Sequence, residues 1–273
     1  MSELATALSR EEEGQTGAAK ARAAVRRLWE VDSLRGVAIV MMVIFHLMWD
    51  LKALAEQYIV LHRGFWFYFQ RTTATLFITL VGVSLVLSYN RARPRFSRAR
   101  DLYLKFLKRG AQIFGVGVGI AVAVWLAGVG QIHFGVLHLI GFSVAIAYPF
   151  LRYRFLNLAL GVGLIGLSEY FQTLHVDHLG LVWLGIEPPN YVFLDYFPVA
   201  PWFGVVLIGI FLGNTLYPGG RRRFALPDLG RFFPFNLLQF LGRHSLLIYV
   251  IHQPILIALL LLTGVIDPRV FGF

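Results

Sequence analysis

Four polar residues interrupt the first apolar run of the chain at helical spacing: Asp32, Arg35, His46 and Asp50. With Ile39 and Met42 between them they recur every three or four residues, so they lie along one stripe of an α-helix. His46 and Asp50 are four residues apart, close enough for their side chains to meet. A carboxylate beside an imidazole is the base-plus-orienter arrangement of general-base catalysis. The same pair would also serve simply to tie two helices together. From Arg35 to His46 the helix rises roughly 16 Å, which places Arg35 at one membrane face and His46 toward the other.

Further polar groups stand in apolar surroundings, where an ionisable side chain costs several kcal/mol unless it is paired or hydrated. Arg71 opens the second run and could reach Asp50, a substrate carboxylate or a carbonyl oxygen; it would equally snorkel to the interface. His138 sits about two turns inside the fourth run and is an active-site candidate, whereas His133 reads as interfacial. Their spacing of five keeps them off one helix face, which makes a two-His metal site improbable. Near the C-terminus, Ser245, Tyr249, His252 and Gln253 form a second polar stripe, with Pro254 removing one backbone donor. Arg243 and His244, with Arg35, Lys108 and Arg109, could form a phosphate-holding ring; ordinary topological charge explains these basic residues equally well. His252 lies about 12 Å above His244 by helical rise, where a packing histidine explains it as well as a functional one.

The elements that must position these groups follow from composition. Of 273 residues, 57% are hydrophobic and 15% charged, and mean hydropathy is +0.65. Soluble domains have roughly 45–50% apolar and about 25% charged residues, so a soluble enzyme, a nucleic-acid-binding module and a disordered chain are excluded. Apolar runs at 33–52, 65–89, 107–128, 133–151, 155–174, 197–217 and 237–263 are each near the ~20 residues that cross a bilayer as an α-helix. The expectation is an all-α, polytopic membrane bundle of about seven transmembrane helices. A short interfacial helix fits within 175–196. Residues 1–30 read as a polar, disordered tail rather than a cleavable signal peptide. Gly115, Gly117 and Gly119 suggest either close helix packing or a narrow channel. With 0 Cys there is no thiol nucleophile, disulfide or zinc–thiolate site, and no metal is expected. No internal repeat is evident.

Charge sets orientation. With the N-terminus inside, 21 of the 25 Lys and Arg fall on the inner face, leaving Lys52, Arg63, Arg71 and Arg269 outside. Such a bias is the positive-inside pattern, and it absorbs most of the +10 net charge. The tail is then cytoplasmic, and the membrane is the cell (plasma or inner) membrane.

Three stretches carry a family likeness: VDSLRGVAIVMMVIFH at 31–46, FGVLHLIG at 134–141 and LGRHSLLIYVIHQ at 241–253, supported by the VGVSL core within 77–87. In this order and on these runs they resemble the heparan-α-glucosaminide N-acetyltransferase-like membrane proteins, in particular their short prokaryotic branch. The third stretch also resembles the wider membrane acyltransferase superfamily. The resemblance covers most of 31–262 and implies that 31–273 is a transmembrane acyltransferase-like domain. It further implies transfer of an acetyl group from cytoplasmic acetyl-CoA to an amine or hydroxyl acceptor at the outer face, such as a glucosamine-type sugar. The family's catalytic His lies after the first core helix on the outer side, where His62 is the nearest match, across a one-residue gap. The lysosomal relatives carry Asn where this chain has His46.

The implied catalytic group is therefore His46, Asp50, His62, Arg71 and His138, and the implied cofactor contacts are Arg35, Lys108, Arg109, Arg243 and His252. Partners are acetyl-CoA, a carbohydrate or other small acceptor, the lipid bilayer and a second copy of the chain, but no nucleic acid. A proton-coupled transporter using the same intramembrane His and Asp groups is the alternative, and a non-catalytic assembly partner a third reading. The charge split predicts topology directly: a reporter at the C-terminus reads as outside and one within 91–100 as inside. The opposite pattern in an accessibility assay reverses the assignment of faces.

Overall fold

The computed structural model describes residues 28–174, 176–189, 191 and 193–271. Among these residues, eight α-helices follow in chain order: α1 Trp29–Ala53, α2 Phe65–Ala92, α3 Ala99–Leu126, α4 Val136–Ile146, α5 Phe155–Phe171, α6 Val199–Leu216, α7 Phe235–Arg243 and α8 Ser245–Leu262. Among the described residues there is no strand, only an isolated bridge between Phe134 and Tyr196. Five helices, α1, α2, α3, α6 and α8, are long and apolar enough to cross a membrane, and α4 and α5 are shorter apolar helices. The protein is a polytopic helical membrane bundle.

Several boundaries depart from the apolar runs, each for a local reason. The polar tail expected over 1–30 overlaps the start of α1, because Trp29 and Glu30 are already helical; residues 1–27 lie outside the described residues. Arg222 donates to both Glu30 carboxylate oxygens, at 2.9 and 2.6 Å, and so clasps the connection before α7 to the first turn of α1. Helix α3 starts eight residues before the run at 107, since the basic stretch 99–106 has good helix formers with Leu102 and Phe106 buried. The run 133–151 holds an α-helix of only 11 residues: Phe134 and Gly135 are non-helical before it, and Pro149 turns the chain into a short 3-10 helix after it. At 1.5 Å per residue α4 is about 16 Å long, too short to span alone. The interfacial element expected within 175–196 is the 3-10 helix Leu179–Leu184.

The largest correction concerns 237–263, which is two helices. His244 leaves helical geometry (φ −101°, ψ 16°) and separates α7 from α8. The cause is packing. Helix α7 lies along α1 so closely that a Cβ on Gly36 would collide with the Leu238 carbonyl, and one on Gly242 with that of Asp32.

Reciprocal glycine contacts of this kind hold all four of the closest helix pairs. Gly36 meets α7 and Gly242 meets α1; Gly82 of α2 and Gly209 of α6 face each other's backbones. Between α3 and α4, a Cβ on Gly110 would lie 2.6 Å from Gly141 O, and one on Gly141 2.7 Å from Gly110 O. Between α5 and α6, the corresponding distances for Gly161 and Gly204 are 2.8 and 2.7 Å. Lipid tails are as apolar as Leu, so helices in a bilayer associate through such close backbone approach. The expectation for Gly115 and Gly119 fails: nothing lies within 4 Å of either position, and only Gly117 touches α4, at Leu137 and His138.

Gly82→Ala and Gly209→Ala therefore force backbones apart, at a cost of about 1–3 kcal/mol each. Gly115→Ala gains up to about 1 kcal/mol of helix propensity. Thermal unfolding of the detergent-solubilised protein checks both: a lower midpoint for the first two and an unchanged or higher one for the third.

Candidate functional site

Helices α1 and α8 meet along their polar stripes. Arg35 donates to Asp32 Oδ1 (3.4 Å) and to Ser245 Oγ (3.0 Å). Three turns further along α1 and two along α8, the His46 and His252 rings meet edge to face, 4.7 Å between centroids. One turn further along α1, Asp50 Oδ1 accepts the side-chain amide of Gln253, the residue next to His252. The contacts run in the same order along both helices, so α1 and α8 are parallel.

The imidazoles are held in a defined tautomer. His46 Nδ1 lies 2.9 Å from the Met42 carbonyl, and His252 Nδ1 lies 2.7 Å from the Tyr249 carbonyl. A carbonyl oxygen only accepts, so Nδ1 must carry the proton in both rings, and each Nε2 keeps its lone pair when the ring is neutral. His252 Nε2, Asp50 Oδ2 and Gln253 Oε1 are buried and have no hydrogen-bond partner among the described residues. Three such atoms on adjacent residues are unusual, since a buried polar group left unsatisfied costs about 1–3 kcal/mol.

The expected His46–Asp50 pairing is not made. Asp50, fully buried, turns to Gln253 on the neighbouring helix, and the nearest ring to His46 across the seam is His252. Nor does Arg71 reach Asp50: it is exposed, its guanidinium over the Phe67 ring at 5.4 Å. His62 is exposed on the connection that leads into α2. His138 is buried, with Nδ1 accepting the Gly135 N–H at 3.2 Å, and so caps its own helix. The anticipated inner ring is divided. Lys108 and Arg109 are exposed on α3, which packs on α4, whereas Arg35 and Arg243 belong to the α1–α7 side. Arg243 Nε is taken by Gln239 O at 3.1 Å.

One residue escaped the sequence reading. Asp195 lies outside the apolar runs, yet its Oδ2 accepts the Val136 N–H at 3.1 Å and the Tyr249 hydroxyl at 3.3 Å. It thereby joins the N-terminus of α4 to α8, one turn from His252. An aromatic loop holds it there: Phe197 N–H donates to Phe134 O at 2.8 Å, and the Tyr196 hydroxyl to Val182 O at 2.8 Å. A lone carboxylate among Tyr191, Phe193, Tyr196 and Phe197 was the signal. Among the described residues no three His, Cys, Asp or Glu side chains gather as a metal site requires.

Fold and seam together define an integral membrane protein with paired histidines and a buried carboxylate–amide contact inside a helix bundle. The family model described as heparan-alpha-glucosaminide N-acetyltransferase, catalytic, matches residues 27–254. The chain belongs to this family and is a transmembrane acetyltransferase; the matched span runs from the start of α1 through His252 and Gln253. Comparison with curated proteins and with solved structures gives no match.

Burial pushes the Asp195 carboxyl from 3.8 up to about 6, against the Val136 N–H and Tyr249 hydroxyl that favour its charged form. Its proton is thus held more tightly in the folded state. The resulting stability is present below about 4 and is lost as pH rises through 6. Thermal midpoints at pH 4.5 and pH 7 should differ less in Asp195→Asn than in the parent. An equal difference in both removes Asp195 as the cause.

Proposed function

We propose that the chain moves an acetyl group from acetyl-CoA on the inner side to an amine or hydroxyl acceptor on the outer side, with the α1–α8 seam as the reacting centre. The observation that carries this reading is the histidine pair: two imidazoles locked at Nδ1, with basic Nε2 atoms beside the Asp50–Gln253 contact. Acetyl-CoA supplies the activated thioester. A neutral imidazole Nε2 takes the proton of the acceptor as it attacks the thioester carbonyl, and returns it to the CoA sulfur as the C–S bond breaks, so that CoA leaves as the thiol. Gln253 gives one amide N–H to Asp50 and keeps a second for a developing oxyanion. Asp50 fixes that amide, and Asp195, through Tyr249, fixes the turn of α8 that carries His252.

His62 is the other imidazole for proton removal, on the strength of the family's catalytic position, and its exposure suits an acceptor arriving from outside. Arg71, exposed at the start of α2, suits the same acceptor. Basic residues of the inner face, Arg35, Lys108, Arg109 and Arg243, suit the donor's phosphates. A sugar amine of the glucosamine type is the acceptor the family name favours.

Purified protein incubated with acetyl-CoA and a panel of amines and sugars should release CoA only when an acceptor is present. Loss of a general base costs about 10²–10⁴-fold in rate. His46→Ala, His252→Ala and His62→Ala are compared at matched CoA affinity and thermal midpoint, and the base is the one whose turnover falls by that factor. If all three keep near-parental turnover with a working acceptor, the assignment of the reacting centre is wrong.

A further inference from the structure

The inner face holds a second feature, apart from the seam. A cavity of 270 Å³ opens between the α2–α3 connection and the turn after α4, lined by Arg93, Arg98 and Arg152 with Tyr89, Phe96 and Tyr148. Both segments lie on the inner face by the charge split. No Asp or Glu is among the lining residues.

We propose that this cavity binds a phosphate-bearing anion. The three guanidinium groups line one hollow and have no hydrogen bond or ion pair among the described residues, unlike several other inner arginines. Arg222 is neutralised by Glu30, Arg35 contacts Asp32, and Arg154 lies against the Phe155 and Phe211 rings. Three like charges around one hollow repel each other, and an anion between them relieves that repulsion. Arginine forks match phosphate oxygens in pairs. The remaining wall is aromatic and fixed in place. The Tyr148 hydroxyl donates to Ala99 O at 3.1 Å, and its ring packs on Tyr89 (6.0 Å), Tyr103 (5.2 Å) and Phe106 (5.9 Å). A ligand with a phosphate at one end and a planar or apolar portion beside it satisfies both halves of the cavity.

Two sources present that chemistry at the inner face: the nucleotide end of CoA, and an anionic phospholipid headgroup, for which basic pockets between membrane helices are suited. The CoA source rests on the acetyl-transfer reading; the lipid source does not.

The triple variant Arg93→Gln/Arg98→Gln/Arg152→Gln keeps most of each side-chain stem and removes the charge. Two readouts separate the sources, neither of which uses turnover. Titration calorimetry with CoA measures the first. Native mass spectrometry of protein supplied with phosphatidylglycerol or phosphatidylcholine measures the second. A drop in CoA affinity of about tenfold or more, as expected for lost charged hydrogen bonds, with phosphatidylglycerol retention unchanged, assigns the cavity to the nucleotide. Loss of phosphatidylglycerol retention with CoA affinity unchanged assigns it to lipid, and loss of both supports an anion site open to either. Arg231→Gln, an inner-face charge outside the cavity, should change neither. If the folded triple variant binds CoA and retains phosphatidylglycerol like the parent, the proposal is overturned. Should the triple variant unfold, the three single variants decide on the same criteria.

Discussion

The backbone contact between Gly36 and Gly242 sets the register on which the seam depends. Gly36 adjoins Arg35, and Gly242 stands three residues before Ser245, the partner of Arg35. No side chain intervenes, so α1 and α7 cannot slide past each other without opening a backbone-to-backbone fit. That fit fixes where α8 begins. From there, two turns of α8 bring His252 against His46 and the next residue, Gln253, against Asp50. The break at His244 is part of the same constraint: α7 follows α1 at the closest approach, and α8 must leave on its own axis to present a stripe of large polar side chains. The other glycine pairs do the same for α2, α3, α4, α5 and α6, without a polar seam to serve.

Much of this was legible in the sequence. Run length and apolarity revealed the helices, because a bilayer demands about 20 residues of satisfied backbone. The two polar stripes were visible because helical periodicity places residues three and four apart on one face. Helix pairing was not visible. His46 and Asp50 were expected to satisfy each other within α1, and each turned instead to a residue about two hundred positions away. Local spacing shows which side chains share a face, but not what that face meets. The GVGVG segment misled for a related reason: small residues permit close approach, and only the partner helix decides which glycine is used. Gly110 is used, and Gly115 and Gly119 are not. Asp195 stayed hidden because its importance lies in two contacts, to α4 and to α8, that chain order keeps far apart.

The bundle therefore has two polar regions of different character. Near the outer half, the seam is nearly free of net positive charge and built from groups that exchange or orient protons. At the inner face, the cavity beside Tyr148 is built from fixed positive charge and aromatic surface. A thioester donor with a polyanionic tail would find its charged end favoured on one side and its reactive end among proton-handling groups toward the other.

The bonds from His46 Nδ1 to Met42 and from His252 Nδ1 to Tyr249 bear on the transporter alternative. A histidine in a proton wire takes up a proton on one ring nitrogen and gives up another from the second, and so passes charge onward. Here the second nitrogen of each ring is tied to a carbonyl of its own helix and has no downstream acceptor. Each imidazole can load and unload only through Nε2, on a single side. Such a pair can lend a proton and take it back through Nε2 within one reaction cycle.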